Sequence, residues 1–368
     1  MRVGMNEEIA LLALHLVPTL GPVKIRRLLA EIGSAEKVLN ATSAQLRRIN
    51  GISTELDIGI RSAASDGVAR RELDRLESHG GWLLSDKHPH YPKALLQLHN
   101  APVLLEVIGT LTDADRHAIG VVGSRHCTLY GVETTKHLSF RLATAGLTIV
   151  SGLARGIDTA AHQAALAAKG RTIAVIGSGI GQLYPPENAA LAERITKQGA
   201  VLSEFPFDSP PNPQTFPYRN RIVAGWSMDL LVVEAGEKSG ALITANLATD
   251  QGRQVYAVPG PIDRESSAGT NRLIQHGAKL VTCAEDILDE LQELFRHSRD
   301  SSRNGTPPSL PLPPEETILL EALATGERSL EELISNSGLT PAQTIASLLS
   351  LELKQRVRPM PGQWFIRT

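Results

Sequence analysis

The sequence of 368 residues is poor in cysteine, in aromatic side chains, in long apolar runs and in net charge. Its two cysteines, Cys127 and Cys283, are too few for a disulfide framework, and no Cys-x-x-Cys spacing offers a zinc site. No metal site is expected, and a reducing cytoplasm suits such a chain. Aromatics amount to 4%, so Ala, Leu, Ile and Val carry the apolar content, which argues for helices and buried parallel strands against an aromatic-rich sandwich. The apolar run Ile9–Val17 is broken by His15 and falls short of the about 20 residues that span a bilayer. Glu7 and Glu8 precede it, where a secretory signal carries positive charge, so neither membrane insertion nor secretion is expected. A formal net charge of −2 excludes a protein that coats nucleic acid by bulk positive charge. A local basic groove remains open, and any such reading must rest on where the arginines sit.

What is present is an ordinary globular balance, 42% hydrophobic and 21% charged. At roughly 100–200 residues per domain this length predicts two or three domains. Residues 1–80 read as short helices, with Ile9, Leu12 and Leu16, then Ile25, Leu28, Leu29 and Ile32, at helical spacing. A tight turn from Pro18 to Val23, with Gly21 at its centre, separates them, and Leu46 to Ile52 repeats the shape around Gly51. Each unit resembles the helix-hairpin-helix family, in which turn amides and a following helix N-terminus meet a phosphate. Arg26, Arg27, Arg47 and Arg48 are candidate contacts there; a plain packing domain with solvated arginines explains them equally well.

Residues 81–296 begin with a proline-rich connector, His88–Pro92 and Asn100–Leu105, and then change texture. Apolar strands are expected at Ala118–Val122, Leu147–Val150, Thr172–Ile176, Ala200–Leu202, Asp229–Val233, Gln254–Val258 and Lys279–Val281. Helices are expected between them at Gly131–Ala145, Asp158–Lys169, Asn188–Gln198 and Ala241–Asp250. Such alternation predicts an α/β fold, a Rossmann-like doubly wound and mostly parallel sheet covered on both faces. Residues 297–314, with Ser, Arg, Gly and five prolines but no periodicity, read as a linker. Residues 315–368 read as a winged-helix-like domain, with Ser329–Leu333 and Gly338–Thr340 in a helix-turn-helix and Pro361-Gly362 in a wing. Its second helix opens Pro341-Ala342-Gln343-Thr344-Ile345 without a cation, and glutamates dominate the helices before it, which favours a protein-contact or structural role over base reading.

In a doubly wound sheet ligands bind beyond the carboxyl ends of the strands, so the loops there carry the chemistry. They read Gly123-Ser124-Arg125, Ser151-Gly152-Leu153-Ala154-Arg155-Gly156, Gly177–Pro186, Phe216-Pro217-Tyr218-Arg219-Asn220-Arg221, and Glu237-Lys238-Ser239-Gly240. Glycines admit a phosphate to the backbone, free amides at helix starts point at it, and arginines add charge-assisted contacts. Neither a dinucleotide fingerprint, nor a Walker lysine, nor a nucleophile elbow is present, and no cofactor is expected. Asp158 and His162, four apart, are an acid–base candidate, as are Glu204 and Glu234 at strand ends; a structural role accounts for each more simply, and no catalytic set emerges. Arg125, Arg155, Arg219 and Arg221 leave from different loops, with Arg171 near the base of the third strand, which suits an extended polyanion. Phe216 beside them is placed to stack an unpaired base, or else to plug the core beneath its loop.

These loops, with Ala161-His162, Tyr184-Pro185, Asn188, Val233-Glu234-Ala235, Thr244-Ala245 and Val258-Pro259-Gly260, resemble the DNA-processing protein A (DprA/Smf) family almost continuously from Tyr91 to Asp286. The resemblance implies a non-enzymatic cytoplasmic protein of natural transformation that binds and protects incoming single-stranded DNA, helps load the RecA recombinase, and dimerises through the central domain. It maps the DNA pocket to Gly123, Ser124 and Arg125 and to a Phe216–Arg221 loop with Arg219, Asn220 and Arg221. Ser151, Gly152, Arg155, Gly156, Arg171, Lys238, Ser239 and Gly240 complete the expected set. Pro210, Pro211 and Pro213 stand where relatives can place a basic residue, with Arg171 or Lys169 as the candidate substitute. The alternative is a nucleotide phosphoribohydrolase on the same sheet, but its Pro-Gly-Gly-x-Gly-Thr loop is replaced here by Glu234–Gly240.

Overall fold

The apolar spacing of the first eighty residues builds helices α1 (Val3–His15), α2 (Pro22–Ile32), α3 (Ala35–Leu39), α4 (Ser43–Arg47), α5 (Thr54–Ala63) and α6 (Val68–Ser78). Short polar residues start them: Thr42 forms a capping box with Gln45, and Ser34 and Ser53 accept backbone bonds from Lys37 and Leu56. In the first turn the left-handed residue is Thr19 (φ +64°), whereas Gly21 is extended, contrary to the expected glycine centre; in the second turn Gly51 (φ +91°) does take that role. Arg26 is bound inward, donating to Asp86 at 2.8 Å and to the Pro102 carbonyl, and Arg27 donates to the Asn50 carbonyl. The buried face of these helices, including Leu12, Leu14, Ile25, Leu28 and Leu76, packs in one core with Leu83, Val103, Leu104 and Phe207.

The computed structural model describes residues 3–291, 313–323, 326–353, 356–360 and 364–367. They divide into two units, Met1–Glu293 and Leu294–Thr368. The first holds a sheet of nine strands: β1 (Gly81–Ser85), β2 (Leu104–Gly109), β3 (Ala118–Val122), β4 (Thr148–Ser151), β5 (Thr172–Ile176), β6 (Gly199–Ser203), β7 (Asp229–Val232), β8 (Val255–Ala257) and β9 (Lys279–Leu280). Their order is β1-β2-β6-β5-β4-β3-β7-β8-β9. From β6 to β9 every neighbouring pair is parallel, with Ile119 opposite both Ile149 and Asp229, while β1 and β2 join antiparallel at one edge. Neither strand was expected: β1 lies just before the stretch read as a connector and β2 begins at its end, where Pro89, Pro92 and Pro102 interrupt the pattern.

Helices α7 (Leu129–Thr144), α8 (Ile157–Ala167), α9 (Ala189–Gln198), α10 (Thr215–Trp226), α11 (Gly240–Asp250) and α12 (Glu265–Gln275) cover the sheet. Ile173 and Val175 join Val223, Trp226 and Val232 in one core layer, whereas Ala174 and Ile176 meet Leu153 and Ile195 in another. That split is the strand's two-residue alternation. The expected Phe216–Arg221 loop is corrected here: these residues form the first turns of α10, held by burial of Ile222, Val223 and Trp226.

The second unit has helices Pro314–Ala322, Leu330–Ser337 and Pro341–Leu353 with a small sheet of Arg328–Ser329, Val357–Met360 and Trp364–Arg367, a winged-helix arrangement. Leu319, Leu323, Leu333, Leu348, Leu351 and Val357 form its core. Ser329 opens the middle helix with a capping box to Glu332, and Gly338 ends it at φ +69°. The expected linker lies outside the described residues except at its last two positions, and so does the expected Pro361-Gly362 wing turn.

Candidate nucleic-acid interface

The strand order reverses between β3 and β7: β4, β5 and β6 follow on one side, β8 and β9 on the other. Crossover helices leave a crevice at such a switch point. A cleft of about 750 Å³ opens there, lined by Ser124 and Arg125 after β3, Gly152 after β4, Tyr184 after β5, Phe216 and Asn220 of α10, and Lys238, Ser239 and Gly240 at the start of α11.

Its rim is set by backbone fit. The Ser124 amide donates to the Glu234 carbonyl at 2.7 Å, and the Ser124 carbonyl accepts from Ile157 at 3.2 Å. A Cβ at Gly123 would stand 2.5 Å from Ile157, so only glycine lets β3 turn this close to α8. Gly156 (φ +75°) faces the same turn, and a Cβ there would meet the Ser124 carbonyl at 2.3 Å. Arg125 is thereby displayed in solvent with its guanidinium 4.9 Å from the centre of the Phe216 ring, and it makes no ion pair among the described residues. Phe216 rests on Gly177, where a Cβ would come within 2.8 Å of the ring. The nearby Lys238 is also exposed and makes no ion pair among the described residues. Ser239 caps α11, whose first amides open on the cleft.

Arg219 is the floor. Only 4% exposed, it donates from Nη1 to the Val175 carbonyl at 2.6 Å, and a Cβ on Gly152 would overlap its guanidinium. Burial draws its pKa down to about 10, with Arg125 adding to the shift and Asp158 opposing it, so the group stays cationic near neutral pH. Asp158 accepts from the Gly152 and Ala154 amides, shaping the turn after β4. His162 is sealed in the core against the Thr172 hydroxyl at 2.7 Å, and burial, with Arg219 adding, holds its pKa down at about 3. Asp158 touches the cleft wall but His162 does not reach it, so the two do not face the cleft as an acid–base pair. Both strand-end carboxylates are likewise committed: Glu234 accepts from the Thr128 amide and hydroxyl, fixing the start of α7, and Glu204 pairs with Arg221.

Three expected contact residues stand elsewhere. Arg221, two positions beyond Arg219 on a helix, points about 200° away from it. It is buried against Glu204 and lies 4.1 Å over the Tyr218 ring. Arg171 precedes β5 and therefore occupies the opposite end of the sheet, where it grips Asp115 with two bonds of 2.8 Å and the Thr110 carbonyl with a third. Ser151 is buried and donates to the Val121 carbonyl. Arg155 is exposed on the cleft's flank, paired with Glu187 and bonded to the Tyr184 hydroxyl at 3.2 Å. Tyr184, absent from the expected set, lies with its ring 5.8 Å from that of Phe216. Its signal was its place as the aromatic residue of the glycine-rich turn after β5. Pro211 and Pro213 line the cleft and bring no charge to it.

Comparison with known proteins places this architecture. The family model described as DNA recombination-mediator protein A matches residues 82–292, and the DprA winged helix domain matches residues 304–363. Protein Smf of Escherichia coli (strain K12) is 40% identical over 301 residues, covering 78% of this chain and 79% of that protein. DNA processing protein DprA of Bacillus subtilis is 45% identical over 204 residues, covering 55% of this chain and 69% of that protein. The X-ray structure of DprA from Streptococcus pneumoniae superposes with a TM-score of 0.68 at 36% identity, over 77% of this chain and 97% of that one. DNA processing protein A from Helicobacter pylori, in a structure addressing its unique single-stranded DNA binding mode, gives a TM-score of 0.53 at 29% identity, over 58% of this chain and 96% of that one. By sequence, sheet topology and paired domains, this chain belongs to the DNA recombination-mediator protein A family.

Proposed function

We propose that the chain binds single-stranded DNA in the β3–β7 cleft, shields the incoming strand and helps seat the RecA recombinase on it during natural transformation, acting in the cytoplasm as a homodimer and without chemical catalysis. The observation that carries this reading is Arg125: an exposed guanidinium, without an ion pair among the described residues, held over an aromatic ring at the switch point, beside a helix N-terminus and Lys238. A phosphate offers Arg125 the charge-assisted partner it lacks, and Phe216 offers a base a stacking face without reading its identity. The interface comprises Gly123, Ser124, Arg125, Gly152, Phe216, Asn220, Lys238, Ser239 and Gly240, with Arg155 on its flank and Gly156 supporting the Ser124 turn. Arg171, Arg221 and Ser151, committed to Asp115, Glu204 and the Val121 carbonyl, are left outside it. The Helicobacter pylori relative's single-stranded DNA binding supports the same ligand. Among the described residues no helix is long and apolar enough to cross a membrane.

Fluorescence anisotropy of labelled single-stranded and duplex DNA of equal length, titrated at several salt concentrations, tests the proposal. Salt-dependent, sequence-tolerant binding that favours the single strand is expected. Binding to neither, with release of free base from nucleoside monophosphates, would replace it by the phosphoribohydrolase reading.

A further inference from the structure

Resting on the reading that the cleft takes single-stranded DNA, we infer that Tyr184 and Arg155 form a second nucleotide station beside Phe216 and Arg125, and that Glu187 holds this station closed in the free protein. The two stations are built alike. Each is an aromatic ring capped by a guanidinium, at 4.9 Å for Arg125 over Phe216 and 5.5 Å for Arg155 over Tyr184. A small hollow of about 10 Å³ lined by Arg125, Gly152, Arg155, Tyr184 and Phe216 marks the second station, and it shares Arg125, Tyr184, Phe216 and Arg219 with the cleft. The ring centres lie 5.8 Å apart with their planes tilted by 45°. Bases stacked within one strand advance about 3.4 Å. Rings this far apart and this tilted suit two neighbouring bases that have separated from each other, as an extended single strand permits and a duplex does not.

The stations differ in one respect. Arg125 faces solvent and makes no ion pair among the described residues, meeting Asp158 only at longer range, whereas Arg155 is tied to Glu187 and to the Tyr184 hydroxyl. Both members of that ion pair remain well exposed, at 46% and 49%. A solvated pair of this kind is weak, and a DNA phosphate presents oxygens able to replace the carboxylate without loss of the charge-assisted bond. Occupation of the second station therefore exchanges Glu187 for a phosphate on Arg155. Glu187 acts as an internal competitor that lowers affinity for short or poorly placed strands.

Anisotropy with an oligothymidylate and the full chain tests this. Glu187→Gln is expected to tighten binding by up to about five-fold at low salt, the upper end of the range a solvated ion pair spans. Arg155→Gln should weaken binding and lower the salt slope by about 0.7. In the Arg155→Gln background, Glu187→Gln should then change nothing. Equal tightening in both backgrounds would reduce Glu187 to simple charge repulsion and overturn the inference. If Arg125→Ala weakens binding while neither Arg155→Gln nor Glu187→Gln alters it, the second station is refuted and the cleft stands. No strand binding by the unaltered protein refutes both. Photocrosslinking of a 5-bromouracil strand to the unaltered protein is independent of variant folding: adducts on Tyr184 as well as Phe216 are expected, and adducts on Phe216 alone would overturn the inference.

Discussion

Arg125 and Arg219 belong to one cleft yet predict opposite experiments. Arg125 stands in solvent, so Arg125→Ala should leave the melting temperature nearly unchanged, weaken single-strand binding alike for every sequence, and reduce the salt slope by about 0.7. Arg219 is buried under Gly152, and its removal would leave Asp158 with its main opposing charge gone. Arg219→Ala should therefore cost about 3 kcal/mol in urea unfolding, with any lost DNA binding following from the lost floor. Phe216→Ala should remove about 1–3 kcal/mol of strand affinity, read by the same anisotropy titration, because stacking on its ring is the sequence-tolerant part of the contact.

Between elements, the seam that matters is the one joining α6 to β2. Glu72 and Glu106 are both buried there, and Glu72 accepts from the Phe207 amide. Burial pushes the Glu106 carboxyl up to about 9, with the charge of Glu72 adding to it. A group whose folded pKa is raised holds its proton more tightly in the native state. Its stabilising effect is full below about pH 4.5 and is lost as the pH rises toward about 9. Melting temperatures measured from pH 5 to pH 8 should fall more steeply for the natural chain than for Glu106→Gln, which keeps the neutral form throughout. The same seam predicts that deleting residues 1–80 uncovers Leu83, Val103, Leu104 and Phe207, so the remaining chain should bind a hydrophobic dye and aggregate.

For the whole molecule, every residue of the proposed interface lies in the unit Met1–Glu293. A protein ending at residue 293 should therefore keep its single-strand affinity and its salt slope in the anisotropy assay. Equal loss of both would assign part of the strand contact to the winged-helix unit. That unit's last helix displays Gln343 and Ile345 and starts without a cation, so equilibrium binding to duplex DNA by the full chain should be weak.

Periodicity and turn chemistry are local, and what depends on them was readable from the chain. The strands from Ala118 onward, helices α7, α8, α9 and α11, and the glycine-rich exits of one sheet edge all follow from spacing of three or four, alternation of two, and the backbone freedom of glycine. β1 and β2 escaped because Pro89, Pro92 and Pro102 interrupt the pattern between them, and they are stabilised by antiparallel pairing with each other and of β2 with the sequence-distant β6. The fate of each arginine is the other limit. By charge and position in the chain Arg125, Arg219 and Arg221, with Arg171 near the base of the third strand, were all candidate contacts, but a guanidinium's role depends on which carboxylates and carbonyls folding brings to it. Asp115 and Glu204 claim two of them, the Val175 carbonyl claims the third, and Arg125 alone of the four is left for a ligand.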